Sequence, residues 1–309
     1  MRQGQKIIYI KERRIRILYE KKGKSRNLRT FCIDCSALSV YGIHLWKRSM
    51  SSCQKIIYGD YVAAVTATQI SWSAPKEAIK AQTVIARGNL YVKWRAGKGG
   101  REVKNASIYL KKRKMDDLFL EKFQIFQEAA KETENQVLVY ENEVKEIPYH
   151  ELGTEKTRDG KELLGEAFSY LPSVETFNDK NSPLYVRGCY FNTEELRKRL
   201  KRKFPGFEIE SAEQIEIKAT DSVGYVMIIQ IGNQEFQGES IKEFLELPSS
   251  CFMVQSDGEE IRFLCRGSGH GLGMSQYTAS VMAQEKKDYK KILNYFFPDL
   301  EIENLSDMK

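Results

Sequence analysis

The hydrophobic pattern changes period several times along the chain. In residues 6–20, Ile7, Tyr9, Ile15, Ile17 and Tyr19 alternate with basic positions, which predicts two strands or a hairpin. Residues 21–55 are polar, then mixed, and show no legible pairing. From Asp60 the spacing becomes helical through Tyr61, Val62, Ala64, Val65 and Thr68, and the apolar face ends near Gln69. After Ser71–Ala74, Pro75 opens a long helix from Lys76 to Trp94, whose Ala78, Ala81, Val84, Ile85 and Leu90 mark a buried face crowded with small residues. Residues 96–115 read as a glycine-rich basic loop. An amphipathic helix over 116–134 follows, carried by Leu118, Phe119, Phe123, Phe126 and Ala130, then a hairpin of 137–140 with 144–149. His150 to Pro183 is loop-like, and loops of that length in a compact domain usually have a function. Beyond it the pattern predicts a charged helix over 193–203, a strand over 213–219 and a hairpin over 223–237 closed by Gly232-Asn233. A short helix over 240–246, strands at 252–255 and 261–265, and helices from Met274 and from Tyr289 complete the series. Helices and antiparallel hairpins in separate runs, without βαβ alternation, give an α+β fold, with antiparallel hairpins and packed helices around one substrate cleft.

Between the last strand and the next helix stands Cys265-Arg266-Gly267-Ser268-Gly269-His270-Gly271-Leu272-Gly273-Met274-Ser275-Gln276-Tyr277, with four glycines in seven residues. Glycine tolerates positive φ and close backbone approach, so this loop folds tightly while presenting His270 and free N–H groups ahead of a helix. The composition alone also fits a tight strand-to-helix turn with an ordinary hydrogen-bonded histidine.

At 309 residues with 41% hydrophobic and 29% charged positions, the chain has the composition of a globular protein. Lys and Arg outnumber Asp and Glu by 49 to 42, with basic clusters at Lys11–Arg16, Lys111–Lys114 and Arg197–Lys203 that suit an acidic partner or a solvated face. None carries the interleaved aromatics of a nucleic-acid reader, so no nucleic acid is expected. No run approaches the roughly 20 apolar residues of a membrane span, and the basic start lacks the apolar core of a signal peptide. The six cysteines are too few and scattered for a disulfide scaffold, and Cys32-Ile33-Asp34-Cys35 lacks the second pair or histidine of a zinc site.

With these residues in view, the chain resembles the SpoIID/LytB family of extracytoplasmic proteins that act on peptidoglycan. Three strings carry the resemblance: Gly269 to Tyr277; Asp60-Tyr61-Val62 through Pro75 to Arg87; and Tyr149-His150 to Thr157 with Tyr170-Leu171, Ser173-Val174 and Ser182-Pro183. They imply a family domain over 55–300, an N-terminal β-containing segment over 1–54 and a C-terminal tail over 301–309. Sporulation-type members are lytic transglycosylases that cut glycan strands stripped of stem peptides during engulfment of the forespore. That chemistry needs one carboxyl group, which protonates the leaving oxygen and then takes a proton from the sugar's own C6 hydroxyl. A hydrolase needs two.

Counting along the family pattern, the catalytic glutamate falls on Gln69, an amide of nearly the same shape with no titratable proton to give. Two accounts fit, an inactivating Glu-to-Gln substitution or a natural member that binds glycan without cutting it. The resemblance implies that Lys80, Arg87, His150, His270, Ser275, Gln276 and Tyr277 line the cleft, with Gln69 and His270 facing each other across one groove. It implies no cofactor, and residues 96–135 hold none of the cysteines and histidines of the family's zinc-binding members. Expected partners are peptidoglycan glycan strands and a membrane-anchored wall amidase or endopeptidase of the engulfment machinery. The implied location is extracytoplasmic, anchored by a segment this chain does not show. The alternative is a non-enzymatic wall-binding or amidase-enhancing protein of the same family.

Overall fold

The computed structural model describes residues 10–11, 14–18, 30–33, 52–96, 104–106 and 117–307. The fold is α+β. Near the start, β1 (Ile10–Lys11), β2 (Arg14–Leu18) and β3 (Thr30–Ile33) form an antiparallel sheet with Ile15 opposite both Ile10 and Ile33. The expected hairpin is present, and β3 lies in a stretch whose pattern was unreadable. Cys35, half of the CxxC pair, falls outside the described residues.

Helix α1 (Ser52–Gln69) begins well before the periodicity at Asp60, so a domain boundary at residue 54 would fall inside it. Helix α2 (Lys76–Arg95) is the centre of the molecule. Every residue from Ala81 to Leu90 is buried, so this helix is enclosed on all sides and not along one face as the periodicity predicts. Packed against it are α1, α3 (Asp117–Glu132), β4 (Gln136–Tyr140), α7 (Gln276–Gln284) and α8 (Tyr289–Phe296). Small side chains at Ala78, Ala81 and Ala86 permit that close approach on several sides. The polar residues enclosed with them are satisfied, as burial requires. Asn89 Nδ2 donates to the Ile147 carbonyl at 2.8 Å and Asn89 Oδ1 accepts from the Ile147 N–H at 2.7 Å.

Arg87 is 1% exposed, and its guanidinium donates to the carbonyls of Gln136 (2.9 Å) and Ala130 (3.0 Å) and to Thr133 Oγ1 (3.3 Å). It closes the C-terminal end of α3, where free carbonyls favour a cation. Trp72, in the turn after α1, packs on Phe119, Phe123 and Phe126 of α3 with ring centroids 5.1–6.3 Å apart. The hairpin after α3 joins β4 to β5 (Glu143–Val144) through Glu141 and Asn142, both at positive φ. On its other edge β4 pairs with β14 (Glu301–Asn304), so residues expected as a tail complete a sheet. Glu301 and Glu303 flanking Ile302 obscured that strand, since an edge strand tolerates charge.

A second hydrophobic cluster occupies residues 191–265. Beyond the short helix α4 (Gly160–Leu164), it comprises β7 (Val186–Asn192), α5 (Thr193–Lys203), the antiparallel sheet β8–β9–β10 (Ile215–Thr220, Val226–Ile231, Gln234–Gln237) and α6 (Gly238–Leu245). With β7 go β11 (Phe252–Asp257) and β12 (Glu260–Arg266), in the order β11–β12–β7. Strand β7 was not predicted, because Arg187, Gly188 and Asn192 break its apolar alternation. From β12 the chain returns to the helical cluster through the glycine loop.

Candidate functional site

The loop after β12 is held by neighbours that leave no room for side chains. Gly267, Gly269, Gly271 and Gly273 all have positive φ. A Cβ on Gly271 would stand 2.2 Å from the Tyr225 hydroxyl, and one on Gly273 would stand 2.0 Å from the Pro148 carbonyl oxygen. Both positions therefore need glycine for conformation and for space. The loop is threaded beside residues 148–158: Leu152 and Ser268 exchange backbone hydrogen bonds, Arg158 N–H donates to the Gly271 carbonyl, and β13 (Met274–Ser275) pairs in parallel with β6 (Tyr149–His150). Helix α7 then starts at Gln276, not at Met274, with Ser275 Oγ capping it by accepting from Thr278 N–H at 3.2 Å.

This threading brings the two histidines together, with ring centroids 5.9 Å apart and planes at 62°. One backbone unit orients both. The Leu272 carbonyl lies 3.2 Å from His150 Nδ1, and the Leu272 N–H donates to His270 Nδ1 at 3.1 Å. His150 is 3% exposed, and its Nε2 is buried without a hydrogen-bond partner among the described residues. Burial, followed by the neighbouring His270, pushes its pKa from 6.5 down to about 3, against the Leu272 carbonyl that favours the charged form. His270 is partly exposed, and burial lowers its pKa also, while Glu239 opposes the shift. Both rings are thus disposed to be neutral, able to offer or accept hydrogen bonds without charge.

Behind the histidines sits a carboxylate that no sequence pattern announced. Asp179, fully buried in the 3₁₀ turn Phe177–Asn181, accepts from Gly153 N–H, Ser275 Oγ (2.7 Å) and Thr278 Oγ1 (2.6 Å). Burial raises its pKa and these donors oppose that. It ties the 150–183 segment to the start of α7, so it sets where Ser275 and Gln276 stand. An aspartate between Thr176 and Ser182 reads locally as an ordinary turn residue.

From Gln276 a chain of amides leads to the end of α1. Gln276 Nε2 donates to the Gln69 backbone carbonyl (2.7 Å) and to Gln82 Oε1 (3.0 Å), while Gln82 Nε2 donates to Gln69 Oε1 (3.0 Å). The structure thereby connects the two most specific strings of the sequence. Gln69, Trp72, His270 and Tyr277 are partly exposed, whereas His150, Ser275 and Gln276 are buried behind them. The carboxylate of Glu151, an exposed residue, accepts from Ser268 Oγ at 2.7 Å, and the Glu151 carbonyl accepts from Tyr277 N–H.

Two expected cleft residues lie elsewhere. Arg87 is spent on α3, as described above. Lys80 pairs with Glu77 (2.7 Å) and Glu132 (3.0 Å) and lies over the Tyr289 ring, in a network with Lys76 and Glu128 that fastens α2 to α3. Both basic residues face the packing partners of α2, because that helix is enclosed and has no free face for a ligand.

The loop's other support is Arg158, 2% exposed. Its Nε donates to Asp221 at 2.6 Å, its Nη1 to Glu239 (3.1 Å) and to the His270 carbonyl (3.3 Å), and its guanidinium lies 4.8 Å from the Tyr225 ring centroid. Asp221 and Glu239 belong to the second cluster, so one buried cation joins both clusters to the histidine loop.

Comparison with known proteins supplies independent findings. The SpoIID family model, described as stage II sporulation protein, matches residues 47–140. Stage II sporulation protein D of Bacillus subtilis (strain 168) is 26% identical, with 85% of this chain and 79% of that protein covered. Its counterpart from Bacillus amyloliquefaciens gives the same identity and coverage. An uncharacterized protein of Brachyspira hyodysenteriae (strain ATCC 49526 / WA1) is 28% identical over 79% of this chain and 66% of its own length.

Proposed function

We propose that this chain, similar over 85% of its length to stage II sporulation protein D and matched by the SpoIID family model over residues 47–140, is a SpoIID-family protein that serves a sporulation-related role by binding stem-peptide-free glycan strands of peptidoglycan, with the acid step of a lytic transglycosylase absent because position 69 is an amide. The observation that carries this reading is the amide chain itself. Gln69 stands at the end of α1, partly exposed, its side-chain carbonyl fixed by Gln82 and its backbone carbonyl by Gln276. A carboxylate would fit the same place and accept the same bond, whereas the amide has no proton of suitable pKa to hand to a leaving oxygen. Partly exposed groups of a kind suited to a sugar, the Trp72 ring, the His270 imidazole and the Tyr277 side chain, lie on the segments that this amide chain joins. An extracytoplasmic location and a wall amidase or endopeptidase as partner belong to this same reading. Among the described residues no helix is long and apolar enough to cross a membrane.

The test is Gln69→Glu with stem-stripped glycan as substrate and mass analysis of the products. The unmodified protein is expected to co-sediment with the strands and release nothing. The variant is expected to release fragments with anhydro ends, lighter by one water than hydrolysis products, a gain of about 10² to 10⁴-fold in rate. Failure of the unmodified protein to bind glycan would end the proposal. A variant that binds yet makes no anhydro end would show that the missing acid was not the only obstacle, and would favour the amidase-enhancing alternative.

A further inference from the structure

The outward face of the β11–β12–β7 sheet is not used by anything described so far. Side chains alternate across a strand, and here the inward set, Phe191, Phe252, Ile261, Phe263 and Cys265, fills the second core. The outward set leaves Tyr190 58%, Val186 50% and Met253 47% exposed, with Leu264 between them. Clustered apolar exposure of this kind marks a contact surface more often than scattered single residues do.

The register shows how the surface is built. Gln255, Arg262 and Tyr190 stand opposite one another in one row across the three strands, and Met253, Leu264 and Gly188 in the next. Because Gly188 has no side chain, the Tyr190 ring edge and the Arg262 stem lean over it: a Cβ there would stand 3.1 Å from Tyr190 Cε2 and 3.2 Å from Arg262 Nε. The Arg262 guanidinium lies 5.6 Å from the Tyr190 ring centroid and reaches Gln255 Oε1 only at 3.4 Å, while its Nε is shut from water without a partner. The result is a half-exposed aromatic ring beside an arginine whose donors are barely used.

We propose that this Tyr190–Arg262 shelf is a second glycan subsite, which takes a sugar carrying a carboxylate. The inference rests on the glycan-binding reading above and specifies the sugar. The apolar face of a pyranose packs on an aromatic ring, and a guanidinium matches a carboxylate with two parallel hydrogen bonds. Removal of stem peptides frees a lactyl carboxylate on every muramic acid residue, so a stripped strand presents both features in alternation. The shelf is also joined to the histidine loop along the backbone. Along strand β12, Arg262 to Arg266 spans about 13 Å at strand rise, and the strand passes directly into Gly267. A glycan lying along β12 therefore leads from the shelf to the histidine loop.

Binding is to be measured with stem-stripped strands and with the same strands after reduction of their lactyl carboxyls to alcohols. Tyr190→Ala is expected to weaken binding to both roughly five- to tenfold. Arg262→Gln is expected to weaken binding to native strands by a similar factor and to leave the reduced strands unaffected, while Tyr190→Trp retains binding. Both positions are at the surface, so melting temperatures should match that of the unmodified protein. If the unmodified protein binds and these variants bind equally well, the shelf proposal falls and the reading of the Gln69 site stands. If the unmodified protein binds neither strand, both fall. If it is a dimer that Tyr190→Ala converts to a monomer, the face is a self-interface and the proposal is overturned.

Discussion

The two hydrophobic clusters are built on opposite plans. In the cluster around α2, contacts that define the candidate site join residues far apart in sequence: Ser275 to Asp179 across 96 positions, and Gln276 to Gln69 across 207. In the 191–265 cluster, β8, β9 and β10 follow one another as neighbours, and β11 pairs with β12 through a tight turn at Gly258. The first plan yields an enclosed helix and a site made of converging ends; the second yields hairpins wired between chain neighbours, closed by one long-range pairing of β12 with β7, and an open sheet face. The glycine loop and Arg158 lie at the seam, and they are where the first plan depends on the second.

That dependence is open to attack, most strongly at Arg158. Arg158→Met leaves Asp221, itself nearly buried, without its cation and takes from Glu239 one of two, Lys242 remaining, and breaking a buried pair in this way costs about 3–5 kcal/mol. Calorimetry should show the variant melting earlier, with the two clusters separating into distinct transitions. A single transition at the unmodified temperature would mean that the seam is held by backbone pairing alone.

Glycine substitutions sharpen the contrast. Gly271→Ala places a Cβ against the Tyr225 hydroxyl in a left-handed conformation, so strain and overpacking together should cost about 2–4 kcal/mol. Gly258→Ala, at positive φ in the β11–β12 turn but with nothing within 4 Å of its Cβ, carries only the conformational cost, about 1 kcal/mol. Urea midpoints of the two variants should differ accordingly. Equal losses would show that the loop relaxes around the new methyl.

A further effect concerns pH. His150 titrates at about 3 in the fold against an ordinary 6.5, so the unfolded chain binds the proton more readily between those values. Stability from keeping this ring neutral is fully present above about pH 6.5 and is lost as pH falls toward 3, with a slope of at most about 1.4 kcal/mol per pH unit from this group. His270, shifted in the same direction, adds to the trend. Unfolding midpoints at pH 7 and pH 4 should therefore diverge less in His150→Gln than in the unmodified protein. An unchanged divergence would assign the pH dependence to other groups.

Much of the architecture was legible because it is local. Helical and alternating periods gave α2, α3 and the hairpins near their observed positions, and Gly232-Asn233 marked its turn, since each depends on residues a few positions apart. The glycines at 271 and 273 announced positive φ, and the long string around His270 led to the site through resemblance. What the sequence could not express was the use made of charge and polarity inside the fold. Arg87, Arg158 and Asp179 look like surface residues by type, yet all three are buried, because each meets carbonyls, carboxylates or donors supplied by segments tens of positions away. Lys80 and Arg87 read as cleft residues until the enclosure of α2 by elements on every side turned them to packing. The sequence by itself determined the elements and the chemistry available at Gln69 and the glycine loop. Only the tertiary structure decided which polar groups would be desolvated together, because the cost of burying a charge is met only by partners that folding brings to it.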